Sequence, residues 1–166
     1  LMLGMTLCEF KDILPEKTYE TWYNDFVNMS NIICKHPIFS SPRAAANYII
    51  TYLTSMAMAY KLTGDEKFKD EAISQEENVL KYITEDGHIY GELNGRQCSE
   101  KGHKNIDLGY NVEESIGNLA IYAKILEREE VLKLCVELLK NSMEFMLPDG
   151  AWDNSWGNRA VKWTYY

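Results

Sequence analysis

Glu85-Asp86-Gly87-His88-Ile89-Tyr90 and Pro148-Asp149-Gly150-Ala151-Trp152 are the two stretches whose reading decides the fold. Each follows a long segment of helical periodicity. Each then presents Asp-Gly, a spacer and an aromatic residue, and the two lie about 60 residues apart. Asp-Gly marks a tight turn, because glycine takes positive φ at no steric cost. Long helices that end twice on the same turn predict helical hairpins in an array, where stacked units bury each other's faces. Equivalent helix ends then emerge on one side, so both Asp-Gly turns are expected at the same rim.

Outward from these turns the chain reads as helices. Leu3, Leu7 and Phe10 predict a short helix ending before Pro15. A second helix starts near Pro15, where proline suits a first turn, and stops before Pro37. Its apolar positions are Tyr19, Trp22, Tyr23, Phe26, Met29 and Ile33. Ser41-Pro42 is expected to open the third helix, with Ala45, Tyr48, Ile49, Tyr52, Met56 and Tyr60 as its buried stripe. Gly64 should end it and Asp65 cap the next. The fourth helix spans 66–83 on Phe68, Ala72, Val79, Leu80 and Ile83. Gln75-Glu76 interrupts that stripe and predicts the most solvent-facing helix. The fifth is expected to begin at Asn111, with Glu114 completing a capping box, and to bury Ile116, Leu119, Ala120, Ala123 and Leu126. The sixth carries Val131, Leu134, Cys135, Leu138, Leu139, Phe145 and Met146. Short links at 63–65 and 127–130 predict antiparallel pairs. The long stretch between His88 and Tyr110 is expected to be non-helical, with Ile89-Tyr90-Gly91 as a short strand, and functional in part.

The chain of 166 residues is long enough for one domain with its own core. A net charge of −8 argues against nucleic acid and against a polybasic membrane-surface protein. No apolar run approaches the ~20 residues of a membrane span. The cysteines at 8, 34, 98 and 135 have no metal-ligand spacing, and Cys135 falls on an apolar helix face. No phosphate-binding glycine loop or serine nucleophile elbow is present. Neither a metal nor another cofactor is expected.

Three of the four tryptophans, Trp152, Trp156 and Trp163, lie near the end of the chain, interleaved with Asp153, Asn154, Arg159 and Lys162. Flat aromatic faces beside forked donors and carboxylates suit a sugar-binding cleft. The competing expectation is that these tryptophans plug the end of a helix bundle. The abrupt aromatic end at Thr164-Tyr165-Tyr166 predicts a piece of a longer protein.

The segment Asp107-Leu108-Gly109-Tyr110-Asn111-Val112-Glu113-Glu114-Ser115, followed one hairpin later by 147–165, resembles the (α/α)-toroid domains of carbohydrate-active proteins. These include heparinase II/III-like and alginate-type polysaccharide lyases and six-hairpin glycosidases. The resemblance covers the last third of the chain. It implies a single all-α domain over 1–166, antiparallel hairpins forming part of a toroid, with room for about half a ring. It implies an oligosaccharide or polysaccharide partner, acidic and uronate-containing, further domains of the same protein, and a secreted or periplasmic setting.

A uronate lyase needs a base for the proton α to the carboxylate, a donor that neutralises that carboxylate, and an acid for the leaving oxygen. Asn154 is the candidate carboxyl donor, and Arg159 the clamp through its planar fork. Tyr165 or Tyr110 is the candidate base or acid, with His103 or His88 as partner base. A glycosidase instead needs two carboxyls across the scissile bond. Asp107 and Asp153 are then better candidates than Asp149, which shapes its turn, or Glu113, which suits a helix N-terminus. Trp152, Trp156 and Trp163 are expected to stack on sugars, with Lys162 and Lys104 facing an anionic substrate. A non-catalytic helical scaffold is the remaining alternative.

Overall fold

A computed structural model describes residues 1–36, 45–91, 106 and 108–153. The helices are α1 (Met2–Glu9), α2 (Glu16–Lys35), α3 (Ala46–Thr63), α4 (Glu66–Leu80), a short α5 (Leu108–Tyr110), α6 (Gly117–Ile125) and α7 (Glu129–Ser142). A π-helical segment, Asn111–Ile116, joins α5 to α6, and a 3-10 turn, Met143–Phe145, follows α7. Among the described residues there is no β-strand, only three isolated bridges. The fold is all-α, as the periodicity predicts.

Local chemistry sets several helix ends where the sequence places them. Gly64 stops α3 in the left-handed conformation at φ 71°. Asp65 caps α4, its Oδ1 accepting from the Lys67 N–H at 3.2 Å. Pro15 stands immediately before α2. Other starts differ. α3 begins at Ala46 after an extended Ala45, later than Ser41-Pro42, which lie outside the described residues. The expected capping box at Asn111 and Glu114 does not form, because the helical path already begins at Leu108. Both side chains are used for tertiary bonds instead. Ile89 and Tyr90 make single bridges, to Ile83 and Ile106, in place of a strand.

α3 is the central helix. It packs against α1, α2, α4, α6 and the π segment. It is therefore buried nearly all round, through Ile49, Ile50, Leu53, Met56, Ala57 and Ala59 among others. A one-face stripe underestimates it, and Tyr48, assigned to that stripe, is exposed. α1 crosses tightly: a Cβ on Gly4 would stand 2.6 Å from Met58 Cγ and 2.9 Å from the Phe26 ring. α2 buries only Phe26 and Ser30, so Trp22 and Met29 of its expected stripe remain exposed. Cys135 is a core residue, its thiol pushed up to about 11 by burial.

Gln75 and Glu76 do not turn α4 toward solvent. Gln75 is buried and donates to Glu71 Oε1 at 3.1 Å. The same carboxylate oxygen accepts from the Tyr52 hydroxyl at 2.8 Å. Glu76 binds the second hairpin, accepting from Tyr122 Oη at 2.7 Å and from Arg128 Nε and Nη2 at 2.9 and 2.8 Å. Leu80, expected inside, is exposed instead.

The hairpins α3–α4 and α6–α7 repeat each other with a fixed offset of 63 residues. The buried set of α4 is Phe68, Ala72, Gln75 and Val79; that of α7 is Val131, Cys135, Leu138 and Ser142. Each residue of the second set lies 63 positions after its mate. Gly64 and Glu127, between the helices of each pair, are both left-handed, at φ 71° and 54°.

Candidate functional site

The offset continues into the turns that follow α4 and α7. The Thr84 N–H donates to the His88 carbonyl at 2.7 Å, and the Leu147 N–H to the Ala151 carbonyl at 2.7 Å. Gly87 N donates to Thr84 O at 3.0 Å; Gly150 N donates to Leu147 O at 2.9 Å. Ile83 bridges Ile89, and Met146 bridges Trp152. Tyr90 N reaches Tyr82 O at 2.8 Å, and Asp153 N reaches Phe145 O at 2.9 Å. Gly87 and Gly150 have positive φ, 73° and 90°, which the hairpin-like return of each turn requires. Asp149 also shapes its turn as expected, its Oδ1 accepting from the Ala151 N–H at 3.0 Å.

Both turns lie at one end of the helix stack. Asn141, near the end of α7, donates through Nδ2 to the carbonyls of Asp86 and Gly87, each at 3.1 Å. Phe145 meets the His88 ring edge-on, with centroids 5.6 Å apart. Asn111 Nδ2 donates to the Ile89 carbonyl at 2.6 Å, tying the first turn to the π segment. Beside it, Asn47 Nδ2 donates to Glu114 Oε2 at 3.2 Å. Asn47 and Asn111 are both buried, so these amides are satisfied within the protein. This end of the molecule is thus a rim of two matched turns, the first braced by Asn141 and Asn111.

The candidate residues divide sharply. Trp152 occupies in the second turn the place of Ile89 in the first. Ile89 is fully buried, whereas Trp152 is half-buried. Asp153 follows it, also half-buried. Tyr110 closes the helical turn Leu108–Tyr110 at the start of the second hairpin. His88 sits in the first turn, its backbone N–H donating to Thr84 Oγ1 at 3.0 Å. Asn154, Arg159, Tyr165, His103, Asp107, Trp156, Lys162, Trp163 and Lys104 lie outside the described residues. Sequence reasoning passed over Asn47 and Asn141, and read Asn111 as a cap. The sequence carries no local signal for Asn141: its mate at the 63-residue offset, Asn78, donates to Gln75 Oε1 on its own helix instead.

An all-α array of helical hairpins with matched loops at one rim defines the class. The chain belongs to the Ulvan lyase N-terminal domain family, whose profile matches residues 1–166. A broad-specificity ulvan lyase from Formosa agariphila is 34% identical over 169 residues, an alignment covering 100% of this chain and 26% of that protein. The chain thus spans about a quarter of the length of the curated relative that it matches. It is a polysaccharide-lyase-related domain. No solved structure matches it.

Proposed function

We propose that the chain is part of an (α/α)-toroid belonging to a longer protein, and that its turn-bearing rim borders a groove for an acidic, uronate-containing polysaccharide. In this reading the whole protein cleaves that polymer by β-elimination. The observation that carries it is the pairing of the two turns at one end of the stack, with Trp152 emerging from the second. The family match along the full chain and the similarity to an ulvan lyase support a polysaccharide partner. Trp152 supplies a flat apolar face that is only half covered. Arg159 and Lys162 follow within ten residues of it and offset an otherwise acidic chain where an anionic ligand must sit. Asn154, Arg159, Tyr165, Tyr110 and His103 are the residues proposed for carboxylate neutralisation and proton transfer.

Calorimetric titration of uronate and neutral oligosaccharides into the protein tests this. Arg159→Ala is expected to weaken uronate binding roughly 10- to 100-fold, as a charged hydrogen bond is worth about 1.5–3 kcal/mol, and neutral binding little. Trp152→Ala is expected to weaken both. Absence of binding to any glycan by the complete protein, or mutants that bind as the parent does, returns the domain to a scaffold.

A further inference from the structure

The leading helical path of the second hairpin is one residue longer than that of the first. From Ala46, where α3 begins, to left-handed Gly64 is 18 positions; from Leu108 to left-handed Glu127 is 19. At the start of the path, buried positions match at an offset of 62, Ala46 with Leu108 and Ile49 with Asn111. From Ile116 onward they match at 63, Leu53 with Ile116 and Met56 with Leu119. Residues 112–115 therefore stand where α3 has only 50–52, and the π turn takes up the additional residue.

The insertion does not serve packing. It comes with an amide, Asn111, at the place of Ile49, and with a buried Ser115 Oγ that has no partner among the described residues. A rare backbone form kept beside an unmet buried hydroxyl marks function before stability. What lies within the wider turn is Glu114. Its Oε2 accepts from Nδ2 of Asn47, in the first turn of α3, at 3.2 Å. Asn118 Nδ2 donates to Thr51 Oγ1 at 3.3 Å, so α3 and α6 run side by side and both begin at the rim. The Glu114 carboxylate is half-buried there, and among the described residues Asn47 is its one hydrogen-bond partner and no Lys or Arg pairs with it.

We infer that Glu114 is a specificity-determining residue of the rim, its free carboxylate oxygen accepting from the hydroxyls of a sugar unit whose acidic group is turned away from it. The inference rests on the sugar-binding reading and names a contact within that groove. A carboxylate accepts hydrogen bonds and donates none, so it takes hydroxyl donors and repels carboxylates. A polymer of mixed acidic and neutral groups is thereby held in one register, with hydroxyls at Glu114 and anionic groups elsewhere. Asn47 fixes the rotamer by holding Oε2, which leaves Oε1 for the ligand. The one-residue insertion is what sets this side chain beside the start of α3; α3 itself, a regular helix, has no counterpart of Glu114 at its residues 50–52.

The sign of one substitution tests this. Glu114→Gln keeps the shape and keeps an acceptor for Asn47, but removes the charge. Calorimetric titration of the complete protein with uronate oligosaccharides is expected to show binding weakened about ten-fold, because a hydrogen bond to a charged acceptor is replaced by a neutral one. A carboxylate acting only through its field would give the opposite result, since losing a negative charge tightens the binding of an anion. Glu113→Gln removes the same charge at the exposed neighbouring position and is expected to leave affinity unchanged or slightly raised. The melting temperature of Glu114→Gln is expected within about 2 °C of the parent. Unchanged or tighter binding by Glu114→Gln overturns the inference, as does an equal loss in Glu113→Gln. A melting temperature lowered by more than about 5 °C also overturns it, by assigning the carboxylate to holding Asn47. A parent that binds no glycan removes the sugar-binding reading together with this one; a parent that binds while Glu114→Gln binds equally removes this one alone.

Discussion

Tyr122 donates its hydroxyl proton to Glu76 at 2.7 Å across the junction of the two hairpins. The tyrosine is fully buried, and the same carboxylate receives the fork of Arg128. One acidic side chain therefore satisfies a buried hydroxyl and an exposed cation at once. This couples the hairpins by a directional bond in addition to apolar contact.

Glu76→Gln should destabilise the chain by about 1–3 kcal/mol, since it weakens both bonds and leaves a buried hydroxyl poorly matched. Arg128, first, and Tyr122 hold the Glu76 carboxyl below the usual carboxylate range, against the opposing effect of its burial. A depressed folded pKa gives stability that is present above the unfolded value and is lost as pH falls through the folded one. The stability gap between parent and variant, from urea melts, is therefore expected to shrink below about pH 4.5. A gap that is constant down to pH 2.5 would remove the ion pair from the account.

Alkaline melts probe Tyr52 and Tyr122 together. Burial, then the bonds to Glu71 and Glu76, raise both phenols far above their ordinary range. A raised folded pKa gives stability that is present below the unfolded value, about 10, and is lost as pH rises further. Stability should decline above about pH 10, with a shallower slope in Tyr122→Phe. Equal slopes for parent and variant would contradict the burial of this hydroxyl.

The matched turns offer an internal control. Gly150→Ala forces a side chain into positive φ but meets no neighbour within 4 Å among the described residues, so about 1–2 kcal/mol is expected. Gly87→Ala carries the same backbone strain and drives its Cβ into Asn141 Nδ2, which bonds the carbonyls of Asp86 and Gly87. It should cost more by about 1 kcal/mol or greater, from the lost bonds. Denaturant melts that rank the two equally would mean that Asn141 does not brace the turn.

Ser115→Ala should stabilise the protein, by about 0.5–1.5 kcal/mol. Its Oγ is buried and has no hydrogen-bond partner among the described residues. Elsewhere in the molecule helical hydroxyls turn back onto the carbonyl four residues earlier, as Thr54 does onto Ile50 and Ser142 onto Leu138, each at 2.8 Å. Ser115 lies in the π segment, whose wider turn offsets that carbonyl. A thermal melt in which the alanine variant is less stable would show that the hydroxyl is bonded in solution.

How much of the candidate site was legible follows the same division between local and distant partners. The turn chemistry placed Trp152 and Asp153 correctly at the end of the second hairpin, because Asp149-Gly150 fixes that turn by itself. The bracing asparagines were not legible in this way. Asn111 looks like a cap from its neighbours, yet its partner is the Ile89 carbonyl, 22 positions away. Asn141 bonds carbonyls 54 and 55 positions away.

By itself the sequence determined the all-α class, the end of α3 at Gly64, the cap at Asp65 and the two Asp-Gly turns. These depend on φ preferences and on side chains within four residues of the backbone that they serve. Only the tertiary structure decided that α3 is packed by four helices and the π segment, that Gln75 and Glu76 face inward, and that the second hairpin begins through a π turn. The reason is physical. A polar residue on a helix is inside or outside according to whether another helix brings it a partner, as Tyr122 and Arg128 do for Glu76 from 46 and 52 positions further on.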